Sequence, residues 1–161
     1  MSESKPKIRQ SLLVTILDKK NVNLEAERQK ALFEKQQLIE EFEKTFLRDE
    51  SGKLKKTMKS KNYVDNSKYE GEFDNDKRTG IGLYHYANGD KFAGEWKDDR
   101  FDGVGHYIFA NGERFDGELR EGVKCGQGSY HYVNGNKYEG DWTNDKKNGK
   151  GVYYYFSTGE K

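Results

Sequence analysis

The side chains that could do chemistry are few, and their spacing does not assemble them. Cys125 is the only cysteine of the 161 residues, so an intrachain disulfide is excluded and an inert thiol in a reducing compartment is the simpler reading. Cys125 and His131 could be drawn as nucleophile and base, but no third group orients them. His85 and His131 occupy the same place in two stretches of similar sequence. If those stretches are pairs of strands, the imidazoles stand four strands apart, about 19 Å at ~4.8 Å per strand, too far to share one metal ion. The Gly-x-Gly pairs lack the strand–turn–helix setting of a nucleotide fingerprint, and no Walker A pattern is present. The sequence therefore predicts no enzyme, no catalytic residue, no metal ligand and no cofactor.

Charge narrows the partners. Residues 69–161 hold 13 Lys and Arg against 17 Asp and Glu, while residues 1–68 hold 16 against 11. A phosphate-binding face needs a basic surface. Here Glu70, Glu72, Glu95, Glu118, Glu139 and Asp141 fall on expected strands, and Lys77, Arg78, Lys146, Lys147 and Lys150 fall in or beside loops. Nucleic acid is not an expected partner. Contact of loop lysines with anionic phospholipid is an alternative that the charge balance does not favour.

The elements that carry these residues repeat. The phrase YANGDKFAGEW, residues 86–96, returns as FANGERFDGEL at 109–119 and as YVNGNKYEGDW at 132–142. Tyr69, Phe92, Phe115 and Tyr138 step by the same interval and open four units, 69–91, 92–114, 115–137 and 138–161. Fixed periods of this size mark stacked supersecondary units. A 32% hydrophobic share with eleven Tyr, nine Phe and two Trp suits a sheet that hides rings between neighbouring repeats. Alternation puts Tyr69, Gly71 and Phe73 on one face and Glu70 and Glu72 on the other. It likewise puts Gly80, Gly82, Tyr84 and Tyr86 opposite Ile81, Leu83 and His85. Glycines on the ring face leave room for rings, so Gly94, Gly117 and Gly140 are expected beneath aromatics.

The turn around Asn88-Gly89 follows from the same parity. A two-residue loop would send Tyr84 and Phe92 to opposite faces. A three-residue loop, Ala87-Asn88-Gly89 with Gly left-handed, pairs Tyr84 with Phe92 and Gly82 with Gly94 and keeps all rings together. Asn111-Gly112 and Asn134-Gly135 read alike. Segments 74–79, 97–102, 120–125 and 143–148 are expected as longer polar loops on the other edge.

The phrases YEGEF, FAGEW, FDGEL and YEGDW, each followed by Gly-x-Gly and an aromatic pair, resemble MORN repeats. Gly stands third in all four copies, and the Gly-x-Gly pairs are Gly80/Gly82, Gly103/Gly105, Gly126/Gly128 and Gly149/Gly151. The chain departs from the pattern at the fifth place, with Phe73 and Leu119. The resemblance implies a mainly β fold, an elongated single-layer antiparallel sheet of four 23-residue hairpin repeats. Tyr69, Gly71, Phe73, Phe92, Gly94, Trp96, Phe115, Gly117, Leu119, Tyr138, Gly140 and Trp142 are its repeat-packing residues. It also implies assembly, scaffolding or tethering rather than catalysis.

The N-terminal part differs in kind. Residues 1–22 read as a flexible docking segment whose apolar run SLLVTIL, 11–17, is too short to span a bilayer. The flanking Glu3 and Lys19-Lys20 argue against a signal peptide. Residues 23–50 read as an amphipathic helix with Asn23 as N-cap, ending near Leu47 or Arg48. Its apolar stripe comprises Leu24, Ala31, Leu32, Leu38, Ile39, Phe42 and Phe46. The stripe serves either to pack the helix on its own domain or to lay it along a partner. Residues 51–68 form a basic linker with a capping strand over roughly 57–64.

Three functions fit these features. The first is a non-catalytic structural subunit of a larger assembly of other protein chains, with a homodimer as a variant. Its expected contacts are Leu24, Leu38, Phe42 and Phe46 on the helix and Val152, Tyr153, Tyr154, Tyr155 and Phe156 on the last strand. The second is a membrane-tethering adaptor, and the third a regulatory subunit of a separate catalytic chain. The repeats are similar to those of radial-spoke head proteins, which implies cytoplasm and cytoskeleton, and the axoneme of a cilium or flagellum.

Overall fold

The computed structural model describes residues 25–156; the segment 1–22, Asn23 and Leu24 lie outside the described residues. A helix over residues 25–42 continues as a π-helical turn, Glu43–Leu47, and the two together are α1. Nine strands follow: β1 (Lys59–Asn62), β2 (Lys68–Asp74), β3 (Lys77–His85), β4 (Lys91–Lys97), β5 (Arg100–Ile108), β6 (Arg114–Arg120), β7 (Val123–His131), β8 (Lys137–Thr143) and β9 (Lys146–Tyr154). They form one open sheet in sequential order. Every neighbour is antiparallel and each repeat contributes two strands.

The parity reading of the first turn holds. Tyr84 pairs with Phe92 and Gly82 with Gly94. The Tyr86 and Gly89 amides donate to Asp90 O at 2.9 Å and Tyr86 O at 3.0 Å, with Gly89 left-handed at φ 90°. The same pair of bonds recurs at 109–113 and 132–136. It also recurs at 63–67, where Asn66 takes the left-handed place at φ 66°. Asp65 Oδ1 there accepts the Ser67 amide and hydroxyl, which sets β1 against β2 as a capping half-unit.

The longer polar loops expected on the other edge are instead two-residue hairpin turns. Asn75-Asp76, Asp98-Asp99, Glu121-Gly122 and Asn144-Asp145 are all left-handed at both residues, the geometry of a type I′ turn. Asn and Asp tolerate that region better than other side chains, so consecutive acids and amides close the hairpin where loops were expected. The remaining residues extend the strands past a bulge, between Gly71 and Glu72 and at the matching places in β4, β6 and β8.

That bulge also corrects the expected face of the first glycine in each Gly-x-Gly. Gly80 is left-handed at φ 55°, and a Cβ built there would run into Glu72, on the side away from the rings. The second glycines behave as expected. Gly71, Gly82, Gly94, Gly105, Gly117, Gly128, Gly140 and Gly151 pair successively, an unbroken glycine row from β2 to β9. The rings of Tyr69, Phe92, Phe115 and Tyr138 lie over this row. A Cβ on Gly105 would stand 2.5 Å from Phe92 Cζ, and one on Gly117 2.8 Å from Phe115 Cζ. Trp96 and Trp142 close the layer, donating Nε1–H to Gly82 O at 3.1 Å and Gly128 O at 3.0 Å.

The opposite face of the sheet is covered by α1. Ile39, Phe42 and Leu47 pack with Leu83, Ala93 and Ile108 in a second core, supported by Leu38, Leu54, Met58 and Ile81. The π turn decides which residues face inward. In a regular helix residue 46 would follow 39 two turns later, which is why Phe46 fell on the expected stripe. One extra residue in the π turn hands that place to Leu47, fully buried, and leaves Phe46 43% exposed against the Phe42 ring.

Candidate interaction face

The two faces of the sheet carry different chemistry. On the helix side, the register aligns matching repeat positions. Positions 70, 93, 116 and 139 read Glu, Ala, Asp, Glu; positions 83, 106, 129 and 152 read Leu, His, Ser, Val; positions 85, 108, 131 and 154 read His, Ile, His, Tyr. Ala93, Leu83 and Ile108 are the members that α1 covers. Lys35 Nζ extends the attachment by donating to Phe109 O at 2.8 Å. Burial there, with Lys91 nearby, holds its ammonium below the usual lysine range.

Beyond that apolar seat the same face is a polar network, and its Arg114 and His131 line a cleft with Glu27, Lys30 and Lys35 of α1. Asp116 accepts from Arg114 Nε at 2.8 Å and lies 2.7 Å from His106 Nδ1 and 3.0 Å from His131 Nε2. Burial pushes its carboxyl up. The bonds from the two imidazoles and the Arg114 charge outweigh that and hold it well below the usual carboxylate range. At the other end Glu70, buried, is ion-paired with Arg48 at 3.0 Å and Lys68 at 3.1 Å. Glu43, Glu70 and His85 bring one ligand atom each within 4.8 Å of one another. Arg48 and Lys68 already meet the Glu70 charge, and burial with Lys91 lowers the His85 pKa. Cys125 pairs in register with Glu118, and no hydrogen bond joins it to His131 among the described residues.

Among the described residues the ring side is uncovered, and its rings are continuous. From Tyr63 the rings run through Tyr84, Tyr86, Tyr107, Phe109, Tyr130, Tyr132 and Tyr153 to Tyr155. Centroid separations alternate between 4.6–4.8 Å and 5.7–5.9 Å. Such separations suit offset and tilted ring pairs. Tyr107 and Tyr130 donate to Asp90 at 3.1 Å and Glu113 at 2.7 Å, one residue per repeat. Burial and that carboxylate push the Tyr107 phenol up to about 12. A second row, one residue per repeat, lies across the rings. Arg78 stacks over Trp96 at 4.7 Å, Phe101 stacks on Phe92 at 4.1 Å, Lys124 sits over Phe115 at 5.5 Å and Lys147 over Tyr138 at 4.7 Å. The next repeat's turn docks on this row: Asp99 and Asp145 accept the amides of Arg78 and Lys124 at 3.0 Å each.

The residues expected at interfaces separate accordingly. Leu38 and Phe42 serve the chain's own second core, a correction to their expected place on a partner, because Leu83, Ala93 and Ile108 offer them an apolar seat. Leu24 lies outside the described residues. Tyr153 and Tyr155 join the ring ladder, and Tyr154 turns to the other face, where Lys137 lies over its ring at 4.8 Å. Val152 and Phe156 are exposed. The sequence reading missed the helix seat, although the apolar departures Leu83, Ala93 and Ile108 at otherwise polar repeat positions carried the signal.

The family model described as the MORN repeat matches residues 69–91, 92–114, 115–137 and 138–159, more than half of the chain. The chain belongs to the MORN-repeat family. MORN repeats generally serve protein–protein or membrane interactions, and the family is of repeat type rather than enzymatic. No match is found among curated proteins. Among the described residues no helix is long and apolar enough to cross a membrane.

Proposed function

We propose that this MORN protein is a non-catalytic scaffold subunit that binds other protein chains through the ring face of its sheet. The observation that carries the reading is the division of the two faces: α1 covers Leu83, Ala93 and Ile108, while among the described residues no element covers the ring ladder on the opposite face from β3 to β9. Half-buried aromatics with a polar tip are favoured at protein interfaces. The basic groups support protein over membrane. Lys77, Arg78 and Lys124 are each ion-paired to an aspartate of the next turn, which spends much of the charge a phospholipid surface would use. The similarity of the repeats to those of radial-spoke head proteins points the proposal to a cytoskeletal, axonemal assembly.

The test is purification of the tagged chain from ciliated cells, with mass spectrometry of what travels with it. Replacing Tyr86, Tyr107 and Tyr132 together by alanine should release the partners, and replacing Phe33 on the outer face of α1 should not. Circular dichroism checks that the triple variant keeps its sheet. If a folded triple variant retains every partner, the ring face is not the interface. If the chain stays out of the cilium, the axonemal part falls by itself.

A further inference from the structure

We infer that the ring face takes an extended, proline-rich segment in the polyproline II conformation, with an acidic residue anchored at Lys147. The inference rests on the reading of the ring face as a protein-binding surface and names the chemistry of the partner.

Pitch favours this ligand. Each repeat advances the ring pattern by two strands, about 9.4–9.8 Å at ~4.7–4.9 Å per strand. A polyproline II helix repeats every three residues, about 9.3 Å. Two turns of α-helix advance about 10.8 Å, so across three repeats a helix drifts out of phase by about 3–4 Å. A polyproline segment drifts by about 1 Å. One proline-bearing turn therefore meets one repeat, and then the next.

The floor of the ring face suits it as well. Tyr84, Tyr86, Trp96 and Phe101, with Arg78 and Arg100 at the rim, line a groove of about 340 Å³. Proline rings pack flat between aromatic rings, and the preformed segment loses little chain entropy on binding. Its exposed carbonyls need a donor. The Trp96 Nε1–H and the hydroxyls of Tyr107 and Tyr130 are already committed inside the chain. The Tyr86 hydroxyl has no hydrogen bond among the described residues, and Tyr86 lines the groove.

Charge supplies the anchor. Arg78 and Lys124 occupy matching repeat positions and are ion-paired to Asp99 and Asp145. Lys147 holds the same position in the fourth repeat, exposed over Tyr132, Tyr138 and Tyr153. It has no carboxylate partner among the described residues; its ammonium contacts the Tyr132 hydroxyl. It is thus the cation on the ring face that an incoming carboxylate meets without displacing one. From Phe101 on β5 to Lys147 on β9 is four strands, about 19 Å, or about six polyproline residues. The preferred ligand has prolines three apart and an acid six residues beyond the proline seated at Phe101.

Fluorescence anisotropy with the full chain tests this against three synthetic probes. The first has proline at every third position with a glutamate at the stated place. The second has the same composition with the period broken. The third is an acidic amphipathic helix former with a heptad pattern. The first should bind about tenfold tighter than either other, a difference of about 1.4 kcal/mol. Lys147→Glu should lose that margin and regain it when the probe's glutamate becomes lysine; Tyr86→Phe should weaken the first probe while leaving the melting temperature unchanged. Equal binding of the broken-period probe, preference for the helical probe, indifference to the charge swap, or no binding each overturns the inference. Failure here together with partner release by the triple tyrosine variant removes the polyproline ligand and leaves the protein-binding face. Failure in both removes the face as well.

Discussion

The ring face and the helix face of this sheet are built from the same strands by opposite rules. The ring face is periodic: Tyr69, Phe92, Phe115 and Tyr138 lie over matched glycine rungs, and no repeat depends on a second layer to hide its rings. The helix face is aperiodic. Repeats one and two offer Leu83, Ala93 and Ile108 to α1, while repeat three offers Asp116 and His131 to each other. A surface repeated in every unit can be extended or bound anywhere along its length; a surface that occurs once fixes one element in one place. The sheet keeps the first kind open and uses the second to seat its helix.

Removing the helix seat tests this contrast hardest. Phe42→Ala deletes a ring that is 8% exposed and should cost about 3–5 kcal/mol in chemical denaturation. The loss should appear first as amide exchange of α1, with the ring-face amides of β6 to β8 still protected. Simultaneous loss of protection in both would mean that the faces are not independent.

Filling the glycine row comes next. Gly117→Val brings a Cβ to 2.6 Å from Gly128 Cα and 2.7 Å from Gln127 O, backbone atoms that cannot turn aside. The expected cost is about 1–3 kcal/mol. A melting curve equal to that of the wild type would remove the ring-over-glycine packing as the basis of the sheet.

The smallest effect concerns the polar part of the helix face. The Asp116 carboxyl is depressed in the folded chain, so its contribution to stability is present above the unfolded value, near 3.9, and is lost as pH falls through the lower folded value. Asp116→Asn should cost about 1–2 kcal/mol at pH 7, and the difference from the wild type should shrink as the pH is taken below about 4. A difference that is constant over that range would assign the effect to packing rather than charge.

Much of this was legible in the residues. Parity around Asn88-Gly89 was enough to set the register, because a slip of one residue would move every ring to the wrong face. The end of α1 at Leu47 and the strand before Ser67 also follow from local patterns. What misled was chemistry in which two readings share one composition. Asn75-Asp76 and Asp98-Asp99 look like polar loop and act as tight turns, since left-handed backbone is a property of conformation that acids and amides only permit. Gly80 and Gly82 look alike and face opposite sides, because Gly80 is left-handed where β3 bulges against β2.

The repeat, the register and the ring face are written in the residues, since these depend on local alternation and on neighbours related by a fixed interval. Where α1 lies, and which of its residues are buried, emerges from the folded chain alone. That choice depends on a contact between segments distant in sequence and on one extra residue in the π turn. Side-chain periodicity does not carry that insertion, which places Leu47 in the seat offered by Leu83, Ala93 and Ile108.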